Sequence, residues 1–301
     1  MRYRYVTADV FTSRAYGGNP LAVVLDAQGL SAAQMQRIAR EFNYSETSFV
    51  LPARDPAHTA CVRIFTPDRE VPFAGHPNVG TAIVLAREWR AAGGTVPESL
   101  VFEEEAGLVR IALKAGAQEA QEAELIAPRP LERAGVAPTT AVARALTLDP
   151  ADIDTSAHPP QVVSVGLTFL VVQLASRDAL RRAAPDAQGY AALLPLDGAK
   201  SIYAYTTDTE AEPETDIQAR MFTGRMTEDP ATGSATAAVT ALRAALRGGG
   251  LLRLRVGQGV DMGRASLLSA HAEPRADGVW AGVAGQAVVV MEGTLPAPAE
   301  A

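Results

Sequence analysis

The sequence predicts an α+β fold of two similar domains, each a cage of strands around one buried helix. Three observations predict it. The chain repeats itself: Arg63-Ile-Phe-Thr66 matches Arg220-Met-Phe-Thr223 at an offset of 157 residues, and Pro72 and Gly75 match Pro230 and Gly233 at an offset of 158. One inserted residue in the connecting loop reconciles the two offsets, so a unit of about half the chain is duplicated. Each copy then leads into a helix without a polar face, through Val79 and Ala82 to Ala86 in the first and the uncharged Ala235 to Leu242 in the second. A helix that is apolar on every side must be covered on every side. Finally, β-branched runs bounded by turn residues flank both helices, and they supply the strands that would do the covering. At 301 residues and 48% apolar, the chain can close two cores.

The elements follow in order. Tyr3 to Leu25 reads as two strands around a turn at Tyr16-Gly17-Gly18-Asn19-Pro20. Ser31 and Gln34 form a capping box that opens a helix over 32–42. Strands are predicted over 47–51 and 59–65. Pro77 then stands where a first helical residue belongs, with the helix over 78–90 ending at Gly93-Gly94. Alternating strand signals cover 101–113. They fade into Ala115–Pro130, a stretch rich in Ala, Gln and Glu that reads as a hairpin or an interdomain crossing. In the second half, strands are predicted over 162–165, 168–174 and 201–206, and a helix over 233–247 stopping at Gly248-Gly249-Gly250. Strands return over 251–256 and 283–291. The predicted domains are 1–127 and 128–301, with the last strand free to return to the first domain.

Charge and cysteine usage exclude several classes. The net charge of −7 comes without a basic cluster, so no positive face exists to displace counterions from a nucleic acid. One cysteine, Cys61, rules out an internal disulfide framework and any mechanism that needs two thiols. Met1 to Phe11 has no unbroken apolar run of the kind an export signal requires. The longest uncharged apolar stretch, 159–176, is broken by Pro159, Pro160, Gln161 and Gln173 and reads as a strand pair, not a membrane span. A cytoplasmic protein with no membrane contact is expected.

The chemistry concentrates at the two helix starts. Pro72-Phe-Ala74-Gly75-His76-Pro77 places a glycine and a polar side chain at the head of a buried helix. Backbone N–H groups there, with the helix dipole, suit an anion such as a carboxylate. Glu228-Asp229-Pro230-Ala-Thr232-Gly233-Ser234 repeats the arrangement with an acid and hydroxyls. Read singly, Asp229 is equally a turn or capping acid; the matched pair is what points to a binding site. Glu46 falls where a helix ends and a strand begins, among Thr47, Ser48 and Phe49. Half-burial of a carboxylate there suits a general acid/base, although such a residue also reads as an ordinary surface acid. His58, His76, His158 and His271 show no HxH, HxxE or HExxH spacing, so no metal is expected. No GxGxxG after a strand, GxxxxGK[ST] or GxSxG occurs, which removes support from nicotinamide, nucleotide and serine-hydrolase chemistry.

These motifs, with Asp9-Val-Phe-Thr12, Gly18-Asn19-Pro20, Ser45-Glu46-Thr47, Arg63 to Pro67, Gln258-Gly259 and Met262-Gly263-Arg264, span nearly the whole chain. In them the sequence resembles the PhzF-like family of phenazine biosynthesis, within the diaminopimelate-epimerase-like fold. The resemblance implies two pseudo-symmetric domains with the active site between them. It implies Glu46 as general acid/base, with His76, Asp229 and Ser234 positioning substrate and handling protons, and Asn19, Ala74, Gly75, Thr232 and Gly233 binding substrate. Ala74 and Thr232 stand where related racemases carry thiols, so two-thiol racemisation is excluded. Asn78, where the family often has Thr, and Ala265, where Pro is common, depart from the pattern and bear on substrate identity. The expected protein is a cofactor-independent isomerase of a small carboxylate-bearing molecule, and the family's habit of dimerising makes a homodimer the expected assembly. An epimerase or racemase using Glu46 with Asp229, or a non-catalytic small-molecule binding module on the same fold, are the alternatives.

Overall fold

The computed structural model describes residues 1–115, 121–209 and 214–299. The chain divides into two compact units, Met1–Leu125 with Ala284–Ala301, and Ile126–Val283.

In the first unit β1 (Arg2–Val10) pairs antiparallel with β2 (Asn19–Val24), and α1 (Ala32–Phe42) leads to β3 (Glu46–Leu51), parallel to β2. β4 (Ala60–Phe65) runs antiparallel to β3 and carries the two-residue β5 (Glu70–Val71). After α2 (Gly75–Ala91), β6 (Ser99–Glu104) returns parallel to β4, and β7 (Gly107–Ala115) and β8 (Gln121–Ile126) follow antiparallel.

The second unit opens with β9 (Glu132–Val136), α3 (Thr139–Ala145) and the antiparallel pair β10 (Gln161–Ser164) and β11 (Thr168–Gln173). Two short helices, α4 (Arg177–Arg182) and α5 (Ala187–Leu193), lead to β12 (Ile202–Thr206), parallel to β11. β13 (Ile217–Phe222) runs antiparallel to β12 and carries β14 (Glu228–Asp229). After α6 (Gly233–Leu246), β15 (Leu252–Gln258) returns parallel to β13, and β16 (Ser266–Arg275) is antiparallel to β15. In β17 (Gly278–Pro296), residues from Ala287 onward pair with β1.

From β1 to β7 and from β10 to β16 the ladders therefore alternate antiparallel and parallel in the same order, with helical insertions at the same two places, α1 answering to the pair α4 and α5 and α2 to α6. The duplication extends to side chains. Arg63 binds both oxygens of Glu70 at 2.7 and 2.6 Å, and Arg220 binds both oxygens of Glu228 at 2.9 and 2.7 Å. Each guanidinium also lies over a ring two residues on, Phe65 at 5.3 Å and Phe222 at 4.8 Å. The extra residue sits in the turn between strand and acid, which closes from Thr66 to Arg69 in one copy and from Thr223 to Thr227 in the other.

Each central helix is enclosed by its own unit. The first twelve residues of α2 are all buried, and β1, β2, β3 and β7 pack on it; α6 is packed by β10, β11, β15 and β16. Gly80 shows how close the packing is. A Cβ there would meet Leu21 Cδ2 at 2.5 Å and Val10 Cγ2 at 2.6 Å. Gly80→Ala is expected to destabilise by roughly 1–3 kcal/mol despite alanine's better helix propensity, because overpacking outweighs the gain. Urea denaturation measures it, and a stabilised variant would contradict the packing.

The structure corrects the predicted elements at the start of α2, at three short helices and across 115–130, and it adds the unpredicted strands β5, β9, β13, β14 and β16. α2 starts at Gly75, three residues earlier than Asn78, with Pro77 inside its first turn, where a missing N–H costs nothing. α3, α4 and α5 are unforeseen helices of six or seven residues, too short to show a helical period. Of Ala115–Pro130, residues 116–120 lie outside the described residues, and 121–126 form β8.

Candidate active site

In the first unit the site is built where α1 hands over to β3. Asn43 ends α1 in the left-handed conformation, and the chain then enters β3 at Glu46. Glu46 pairs with Leu21 on β2, which brings the Asn19-Pro20 segment alongside. Gly18 makes that approach possible: its φ is +59°, and a Cβ would meet the Val10 carbonyl oxygen at 2.3 Å. Asn19 is fully buried.

Glu46 Oε2 lies 3.3 Å from Nδ1 of His76, the second residue of α2. The carboxylate is 20% exposed and the imidazole 6%. Burial drives the His76 pKa down to about 3, with the Pro20 carbonyl opposing it more weakly. The ring is therefore neutral, its N–H serves the Pro20 carbonyl, and the approach to Glu46 is not an ion pair. His76 Nε2 is buried without a hydrogen-bond partner among the described residues. Ala74, extended at φ −152°, precedes the helix and gives no side-chain cap, and the first turn contains no acid. Asn78 Nδ2 donates to the Ala74 carbonyl at 3.0 Å.

In the second unit the corresponding turn is polar. Thr232 Oγ1 donates to Asp229 Oδ2 at 2.5 Å. Gln258, fully buried at the end of β15, accepts from the Thr232 N–H at 3.1 Å and donates to Thr232 Oγ1 at 3.1 Å and to the Asp229 carbonyl at 2.8 Å. Gly233 and Ser234 open α6, again with no side-chain cap and no acid in the first turn. By contrast Ser31, Ser176 and Asp186 cap α1, α4 and α5. The starts of the two central helices thus keep backbone donors available to an anion.

The structure accordingly gathers Glu46, His76, Asn19, Ala74 and Gly75 in one unit, and Asp229, Thr232, Gly233 and Ser234 in the other. Sequence reasoning missed Gln258 as a site residue, although Gln258-Gly259 stood out as a motif. Its partners lie 26 and 29 residues upstream, across a parallel ladder. No group of three or more His, Cys, Asp and Glu suited to a metal occurs among the described residues. No helix there is long and apolar enough to cross a membrane.

The family model described as phenazine biosynthesis-like protein matches residues 8–293. An uncharacterized isomerase of Mesorhizobium japonicum is 39% identical over 97% of this chain and 98% of its own. The trans-2,3-dihydro-3-hydroxyanthranilate isomerase of Pseudomonas chlororaphis is 36% identical over 97% of this chain and 99% of its own. Among solved structures, a PhzF-family phenazine biosynthesis protein of Bacillus anthracis superposes with a TM-score of 0.88 at 26% identity, covering 98% of this chain and 99% of that one.

Proposed function

The chain belongs to the phenazine biosynthesis-like (PhzC-PhzF) family, with isomerases among its relatives, and on that footing we propose that it moves a proton between carbons of a small carboxylate-bearing substrate. The observation that carries this reading is the Glu46–His76 contact beside the uncapped start of α2. Glu46 as carboxylate takes a proton from one substrate carbon, the C–H electron pair moves into the adjoining π system, and the resulting acid returns the proton at another carbon. One proton leaves and one is returned, and the Glu46 acid exchanges with solvent between the two steps, so the cycle needs no oxidant, reductant or cofactor.

Neutral His76 confines the carboxylate by packing Nδ1 against it, and its buried Nε2 is placed to meet substrate. Asp229 and Ser234 supply the second unit's proton-handling and positioning groups. Asn19, Ala74, Gly75, Thr232 and Gly233 bind substrate, whose carboxylate takes the N–H groups at the helix starts. The Pseudomonas chlororaphis relative is named for a hydroxylated dihydro aromatic acid, and ring acids of that class are the first candidates here.

The test is incubation of such acids with the enzyme in D₂O. Deuterium at carbon together with a displaced double bond is the expected result. Stereoinversion at one carbon without double-bond movement would replace isomerisation by epimerisation. Absence of exchange across cyclohexadiene and aromatic ring acids would overturn the reading.

A further inference from the structure

Gln258 has a counterpart in the first unit that the mechanism does not use. Ile217 and Gln218 on β13 lie beside Val256 and Gly257 on β15, and the next pair is Ala219 with Gln258. In the duplicated ladder Ala60 and Cys61 on β4 lie beside Phe102 and Glu103 on β6. One residue further along, Glu104 occupies the place of Gln258. The surroundings agree. The Ser266 hydroxyl grips the Pro230 carbonyl at 3.0 Å in the second unit, and the Ala106 N–H grips that of Pro72, its duplicate, at 3.1 Å in the first.

We propose that Glu104 is a positioning residue of the first unit, a buried carboxylic acid that holds Asn78 and, through it, the Ala74–His76 helix start. Glu104 stands in the ladder where Gln258 stands, with a carboxyl in place of the amide. The inference deepens the isomerase reading, on which its catalytic meaning rests.

Glu104 is 8% exposed, and both carboxyl oxygens are buried without a hydrogen-bond partner among the described residues. Asn78, which interacts with it, has its Oδ1 in the same condition while its Nδ2 serves the Ala74 carbonyl. Ionised, Glu104 would bury two acceptors with only the second Asn78 N–H to serve them and would leave Asn78 Oδ1 unserved, whereas a proton adds a donor. Burial correspondingly pushes its pKa up to about 8, with Asn78 opposing it.

The charges nearby are engaged elsewhere. Glu103, on the opposite face of β6, accepts from the Arg54 and Asp55 N–H groups and from His58 Nδ1. Cys61, Arg63 and Glu105 share that outer face, and Arg63 is bound to Glu70. Arg110 and Lys114 of β7 alternate to it as well. From α2, within its buried stretch, His76 alone titrates, and it is neutral.

The experiment compares wild type, Glu104→Gln and Glu104→Leu as the full chain. A raised folded-state pKa means the wild type has its full stability below the unfolded value of 4.5 and loses it as pH rises toward 8. Relative to Glu104→Gln, its unfolding constant should therefore rise by up to about tenfold per pH unit across that window and level off above it. The His76 ring signals of the wild type should step near pH 8, Glu104→Gln should keep the low-pH signals throughout, and Glu104→Leu should shift them at every pH. Where turnover is measurable, Glu104→Gln should retain above pH 8 the activity that the wild type loses there. Parallel stability profiles for wild type and Glu104→Gln, or a His76 step that survives in Glu104→Gln, would overturn the assignment. A step that behaves as expected in a protein that exchanges no ring acid would retain Glu104 as a positioning acid and remove the isomerase reading instead.

Discussion

Glu46→Gln is expected to bind substrate as the wild type does and to lose turnover by roughly two to four decades, the span usual for general acid–base catalysis. A residue that carries a proton from one carbon to another must be acid for part of the cycle and carboxylate for the rest. Glutamine keeps the size of the side chain and an amide opposite His76 Nδ1, which lies 3.3 Å from the carboxylate, but it has no proton to carry. Glu46→Asp keeps the proton and retracts it by one methylene. Because Glu46 is anchored as the first residue of β3, the backbone cannot follow, and a displacement of about an ångström alone can cost ~10²-fold. Single-turnover kinetics and C–H/D exchange on both variants make the measurement. Exchange near the wild-type rate in Glu46→Gln would place the proton carrier elsewhere, with Asp229 the next candidate.

The second large effect concerns stability, and the duplication supplies its control. Arg220→Met is expected to destabilise by about 3–5 kcal/mol, whereas Arg63→Met should cost only about 1 kcal/mol. The two arginines hold equivalent acids with the same two-pronged geometry, yet their settings differ. Arg220 and Glu228 are 12% and 14% exposed, and Arg220 also donates to the carbonyls of Leu180, Arg181 and Ala183 at 3.0, 3.1 and 2.7 Å. Methionine would fill the space but leave a buried carboxylate and three carbonyls without their donor. Arg63 and Glu70 are each 30% exposed, so water can replace the lost partner. Urea denaturation of both variants decides it. Equal losses would mean that burial is not what separates the two copies, and Arg220→Met combined with Glu228→Gln should recover part of the loss.

Much of this architecture was legible in particular residues. The Arg63 and Arg220 motifs announced the duplication, and the one-residue difference in offset located the longer turn between Thr223 and Thr227. The absence of charge over Ala235 to Leu242 announced an enclosed helix. Ser31 and Gln34 announced the start of α1, whose capping box closes as expected. These signals are local: each depends on neighbours a turn or two away, and a side chain either suits that geometry or does not.

What stayed hidden depends on residues far apart in the chain. Glu46 and His76 are 30 residues apart, and nothing in either segment shows that β3 and the head of α2 meet. Glu104 is one acid among three consecutive glutamates, and Gln258 read as half of a Gln-Gly motif. Their burial beneath a helix start follows from the parallel ladders β4–β6 and β13–β15. A parallel pair needs a crossover, here a whole central helix, so its register leaves no mark at short range. The sequence by itself therefore determined the duplicated plan and the two enclosed helices, because periodicity and capping are set within a few residues. Only the tertiary structure decided which polar groups lie under each helix start and which are charged there, because desolvation and ladder register are properties of the packed chain.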